Sequence, residues 1–152
     1  RGNAASTSQR LPALVLADSF GNPIWGFARQ LSSDQILAGV KALGQATQAL
    51  ADKLQQELVG IEGAALQPER RAEVIGRLHK MLRYRGHHAV VRGQKIYDDL
   101  LSQARAELKF AKALIGTDGI AGREALRSVI ARYPETSVAG LAAEQLVLID
   151  GR

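Results

Sequence analysis

The chain contains no cysteine. That absence excludes disulfides, thiolate metal sites, iron-sulfur clusters and a Cys-x-x-Cys redox pair within these 152 residues. It leaves the compartment open, because cytosolic and periplasmic proteins alike can lack cysteine. No apolar run approaches the 18 or so residues a membrane-spanning helix needs, and Leu11 to Ala17, the longest candidate, is interrupted by Pro12. The three histidines are His79, His87 and His88, and the adjacent pair cannot converge on one ion, since neighbouring side chains point apart. No metal or other cofactor is expected. Gly116-Thr117-Asp118-Gly119 lacks both the glycine spacing and the lysine of a phosphate-binding loop. Ser128 and Ser137 have no histidine at a motif spacing and no nucleophile elbow around them. With no catalytic constellation in the chain, the expectation is a protein that is not an enzyme. Its first residue is Arg1 rather than Met, as expected of a processed or truncated product.

Aromatics are also scarce, at 5%, while hydrophobic residues reach 46% and are mainly Leu, Ala, Val and Ile, a composition suited to helices. Residues Arg1 to Arg10 are small and polar and read as a flexible lead-in. Ala13 to Ala17 and Ile24 to Phe27 are β-prone runs around the turn chemistry of Asp18-Ser19-Phe20-Gly21-Asn22, which predicts one hairpin. An isolated hairpin is marginal in water, so it has to pack on the helices or pair with another chain. From Ser32 the period becomes helical. Ser32 and Gln35 are spaced as a capping box, and Ile36, Val40, Leu43, Thr47, Leu50, Leu54 and Leu58 recur at intervals of four and three until Gly60 and Gly63, which are expected to end the helix.

A second helix is expected after Pro68, with Val74, Ile75, Leu78, Met81 and Leu82 on one face and a stop at Gly86. A third is expected from about Gln94 to Ile115, a fourth from about Ile120 to Arg132 and a fifth from Ser137 to Ile149. Asp98 and Asp99 are then placed at the start of the third helix, where negative charge favours the helix dipole. The fold class expected is mainly α, an N-terminal β-hairpin followed by about five amphipathic helices in antiparallel hairpins. The expected divisions are 1–10, 11–63 and 64–152.

Charge is unevenly placed. Arg70, Arg71, Arg77, Lys80, Arg83, Arg85, Arg92 and Lys95 face one acid, Glu73, within their stretch, a local +7 against +5 for the whole chain. These eight residues are the candidate contacts for an anionic partner: an acidic protein face, nucleic acid or a lipid surface. Only Tyr84 and Tyr97 are at hand for base stacking, so nucleic acid is the poorer match. The plainer reading is a solvated helix face whose long stems cover apolar neighbours. Trp25 and Phe27 are the candidate apolar interface if the hairpin meets a partner, and core residues if it folds back.

Two stretches carry resemblances. Leu11-Pro12, the apolar strand, Asp18 and Gly21, the second strand, and Ser-x-Asp leading into a helix make Leu11 to Leu43 similar to the second half of a thioredoxin-like domain. The resemblance implies that Pro12 matches a cis-proline beside the family's active site, and that the catalytic cysteines belong to a first half this chain lacks. Ala125, Leu126, Val129, Ile130, Tyr133, Pro134, Ser137, Ala139 and Ala142 make Ala104 to Ile149 resemble a tetratricopeptide-type helical repeat, with Gly122 where that family usually has alanine. That implies a scaffold presenting a surface to a protein partner.

The function expected is a non-enzymatic interaction or assembly subunit within a larger complex, binding a protein partner through helical surfaces. The alternatives are the C-terminal fragment of a thioredoxin-like oxidoreductase, and RNA or anionic-surface binding through residues 70–95. The second resemblance favours a bacterial periplasm or another extracytoplasmic site, and the composition is compatible with cytoplasm.

Overall fold

The computed structural model describes residues 14–27 and 32–151, the side chains of Leu14, Trp25, Gly26 and Phe27 excepted. The lead-in at Arg1 to Arg10 and the conformation of Pro12 lie outside the described residues. A two-stranded antiparallel hairpin, β1 (Leu14–Ala17) and β2 (Pro23–Phe27), is followed by five helices. These are α1 (Ser33–Ala65), α2 (Arg71–Met81), α3 (His88–Ile115), α4 (Gly119–Arg132) and α5 (Ser137–Asp150), with a 3-10 turn at Pro68–Arg70. The fold is mainly α, and the chain parts into two compact units between Asp52 and Lys53.

In the first unit the hairpin turn is organised by one side chain. The Asp18 carboxylate accepts from the backbone N–H groups of Phe20 and Asn22, both at 2.9 Å, and from Asn22 Nδ2 at 2.8 Å. These are the local bonds by which aspartate stabilises turns. Pro23 opens β2, a strand position where its missing N–H is tolerated. The capping box forms reciprocally: Ser32 N donates to Gln35 Oε1 at 3.0 Å and Gln35 N to Ser32 Oγ at 3.3 Å.

The core lies in the second unit. Every buried hydrophobic residue among the described ones falls between Leu54 and Ala142. Helix α1 contributes Leu54, Leu58, Ile61 and Ala64, so it runs through Gly60 and Gly63 instead of ending there. Glycine costs a helix about 1 kcal/mol relative to alanine. Burying a side chain such as Leu58 or Ile61 contributes about 1.5–3 kcal/mol, which decides the contest. At Gly60 the missing side chain is also useful, because a Cβ would stand 2.5 Å from Arg77 Nη2.

Helix α3 likewise begins earlier than its propensities suggest, at His88 rather than near Gln94, because Ala89, Val90 and Gly93 are buried. Asp98 and Asp99 consequently lie well inside the helix, exposed, and Asp98 accepts a bond from Gln94 Nε2 at 2.9 Å. They do not face the N-terminal dipole. Helix α2 stops at Met81, ahead of Gly86.

Helix α3 packs against α2, α4 and α5, and α4 against α5. Asp118 caps α4 by accepting from Ile120 N and Ala121 N, and Thr136 caps α5 by accepting from Ala139 N. Leu141, expected on the inner stripe of α5, is half exposed, while Val138 and Ala142 are buried. No described helix is long and apolar enough to cross a membrane.

Candidate interaction surface

The cations between residues 70 and 95 do not form one open patch. Arg70 pairs with Glu73 at 2.9 Å, Arg77 with Glu57 at 2.7 Å and with Glu73 at 3.5 Å, and Arg92 with Glu62 at 2.6 Å. Arg71 pairs with Glu107. Glu57 and Glu62 belong to α1 and Glu107 to α3, so three of the four acids come from outside the basic stretch. The Arg77 hydrogen bond holds the Glu57 carboxyl below its ordinary pKa, with Lys80 and Lys53 adding to the effect. Arg70 does the same to Glu73. Lys80, Arg83 and Lys95 are exposed and make no ion pair among the described residues, and Arg85 is exposed.

His79 Nε2 lies 3.1 Å from Tyr97 Oη and its Nδ1 lies 3.5 Å from Glu135. His87 is buried ahead of α3, His88 is exposed in its first turn, and no three histidine or acidic groups converge among the described residues.

Arg71 is the cation that sequence reading places least well. Its Nη1 bonds both Glu107 Oε1 and Tyr133 Oη, the latter at 2.6 Å, and its Nη2 donates to Gln103 at 3.0 Å. Tyr133 donates in turn to Glu107 Oε1 at 2.9 Å, and Arg132 reaches Glu107 Oε2 at 3.3 Å. One carboxylate thus ties the start of α2, the middle of α3 and the end of α4 together. Burial, followed by the neighbouring Glu107 carboxylate, pushes the Tyr133 phenol up to about 12.

A folded pKa above the unfolded value of about 10 means that the native state holds this proton more tightly. The stability linked to it is therefore complete below pH 10 and is lost as pH rises from about 10 to about 12. The expected loss is roughly 2–3 kcal/mol across that window. Urea unfolding midpoints at pH 9 and pH 12 should show it, and Tyr133→Phe should flatten the difference; an equal fall in both proteins would assign it elsewhere.

Large apolar side chains are exposed in both units: Leu66, Phe110, Ile120 and Val147 are among those in the second, and a further set lies in the first. Trp25 stands opposite Leu16 and Phe27 opposite Leu14 in the hairpin register, but the side chains of Trp25 and Phe27 lie outside the described residues. What is described is the neighbouring helix. Ile36 is 37% exposed, Leu37 58% and Val40 50%, and Val15 and Phe20 of the hairpin are about half exposed. Beside them an apolar groove is lined by Ile24 of β2 and by Gly39, Ala42, Leu43 and Ala46 of α1.

The seven-residue stripe from Ile36 to Leu58 therefore changes character along its length. Leu54 and Leu58 are core, whereas Ile36 and Val40 face solvent. Sequence periodicity finds the stripe but cannot tell its covered end from its open one. Leu37, the most exposed of this set, sits outside the stripe and is found only from the fold.

No family model, no curated protein and no solved structure matches this chain.

Proposed function

We propose that this chain is a non-enzymatic interaction or assembly subunit that binds a protein partner through the N-terminal half of α1. The observation that carries this reading is the exposed set Ile36, Leu37 and Val40, in a unit where no described hydrophobic residue is buried. Clustered exposed apolar residues mark interaction sites more often than scattered ones do. A two-stranded hairpin is also too small to be stable alone, so a partner that covers this face stabilises both elements.

The basic stretch supports an anionic ligand less well, because Arg70, Arg71, Arg77 and Arg92 already have carboxylate partners. Lys80, Arg83 and Lys95 remain as a weaker, dispersed surface.

The double variant Leu37→Asp/Val40→Asp alters two side chains that are at least half exposed, so it should leave the helical circular dichroism unchanged. Each buried interface anchor contributes more than about 1–2 kcal/mol. Proteins retained by the wild-type chain in affinity isolation from its native cells should accordingly be held at least tenfold less by the variant. A partner set retained equally by both would refute the reading.

A further inference from the structure

We infer that this chain associates with itself head to tail through its second unit, the outer face of α5 on one copy seating on the outer face of α3 on the next. This is a different surface from the α1 face, and the two readings stand or fall separately.

The first support is the composition of α5. Val138, Ala139 and Ala142 are buried in a helix that packs on α4 and α3. Its opposite side is apolar as well: Leu141 is 50% exposed, Val147 72% and Leu148 61%. Leu141, Glu144 and Leu148 follow one another at three and four residues and so lie in one line along the helix, with Val147 next to Glu144. A helix at the edge of a globular unit ordinarily turns charged residues to water, and one that is apolar on both sides is covered on both. Helix α4 shows the ordinary pattern, with Glu124, Arg127 and Arg132 on its exposed side.

The second support is charge. Helix α5 carries two acids and no lysine or arginine. Asp150 is taken by Arg123 of α4 at 3.2 Å, whereas Glu144 makes no ion pair among the described residues. Covering the outer face takes the Glu144 carboxylate out of water, which is unfavourable unless a cation meets it there. The occupant is therefore an apolar helix surface with a cation on it.

The C-terminal half of α3 is such a surface. Ala106, Phe110 and Ala113 recur at four and three residues, all exposed, Phe110 at 63%. Lys109 lies beside them, with Arg105 and Lys112 on the flank, and none of the three makes an ion pair among the described residues. The runs from Ala106 to Ala113 and from Leu141 to Leu148 each cover about 11 Å of helix.

Like faces do not suit each other. Two α5 faces would bring two Glu144 carboxylates together, and two α3 faces would gather both sets of cations, the juxtapositions that reject a wrong partner. Unlike faces set Glu144 against Lys109. A contact of that kind is heterologous, so each bound pair still carries one open α3 face and one open α5 face, and growth continues into a ring or a filament. The faces are smaller than the roughly 800 Å² per partner of a standard stable interface, so association at on the order of 10–100 µM is expected.

Sedimentation velocity of the full chain across that range should show mass rising from 16.3 kDa past that of a dimer. Phe110→Asp closes the α3 face and Leu148→Asp the α5 face; both positions are exposed, so helical circular dichroism should be unchanged. Either variant alone should associate at least tenfold more weakly. Mixed in equal amounts they should form one-to-one dimers and nothing larger, because each supplies the face the other lacks. Glu144→Lys should also weaken association at least tenfold, and Leu37→Asp/Val40→Asp should leave it intact. A wild type that stays monomeric overturns the inference. So does a Phe110→Asp or Leu148→Asp chain that still self-associates, a mixture of the two that stays monomeric, or a Glu144→Lys chain that associates like the wild type. None of these outcomes bears on the α1 surface, which the affinity isolation tests by itself.

Discussion

Tyr133→Ala is expected to cost about 3–5 kcal/mol of stability, the range for removing a large aromatic side chain from a packed core. Tyr133 is completely buried, the largest side chain to be so among the described residues, and its hydroxyl bridges Arg71 and Glu107. The alanine variant loses the packed ring and also takes from Glu107 one of its donors in a partly buried site. A domain of this size has only about 5–15 kcal/mol in total, so a loss of this order moves urea unfolding far toward zero denaturant. Tyr133→Phe keeps the ring and gives up the hydroxyl, for which about 1–2 kcal/mol is expected at neutral pH. Were the alanine variant to unfold at the wild-type midpoint, Tyr133 could not be the pivot where α2, α3 and α4 meet.

Gly122→Val is the second large effect, at about 3 kcal/mol. A Cβ at this position would stand 2.7 Å from Ile115 Cγ1, 2.8 Å from Ile115 N and 2.9 Å from Ile115 Cα. Two of these atoms are backbone, at the end of α3, and cannot rotate away. Accommodating them means moving α4 from α3, and overpacking of that kind costs about 1–3 kcal/mol before β-branching is added. Even alanine there would be too close.

Gly60→Ala makes the instructive comparison. Its obstacle is Arg77 Nη2, the far end of a flexible side chain. The guanidinium can swing aside, and the gain in helix propensity, about 1 kcal/mol, offsets what the displaced contacts lose. In side-by-side urea denaturation the midpoint of Gly122→Val should therefore fall sharply while that of Gly60→Ala stays near the wild type, although the sequence does not distinguish the two glycines. Comparable losses in both would mean that the α3–α4 junction is not as close as described.

How much of the molecule is legible in the sequence follows from the range of the forces involved. Local ones can be read directly. The Asp18 turn, the Ser32–Gln35 capping box, the apolar stripes and the ends of α4 and α5 depend on residues within about four positions of each other, so pattern alone locates them. The same holds for the absence of cysteine and the excess of cations between residues 70 and 95.

Forces between segments distant along the chain are not readable this way. Burial of Ile61 and Ala64 carried α1 past two glycines, and burial of Ala89 and Val90 started α3 ahead of its best helix formers. Glu57, Glu62 and Glu107 reach the basic stretch only through folding, which is why a local +7 looked like an open surface when at least half of its cations have partners. The apolar stripe of α1 was determined by the sequence, as a repeat of side chains on one helix. Tertiary structure decided which end of it is core and which stays exposed, because burial is set by what packs against a helix and not by the helix itself.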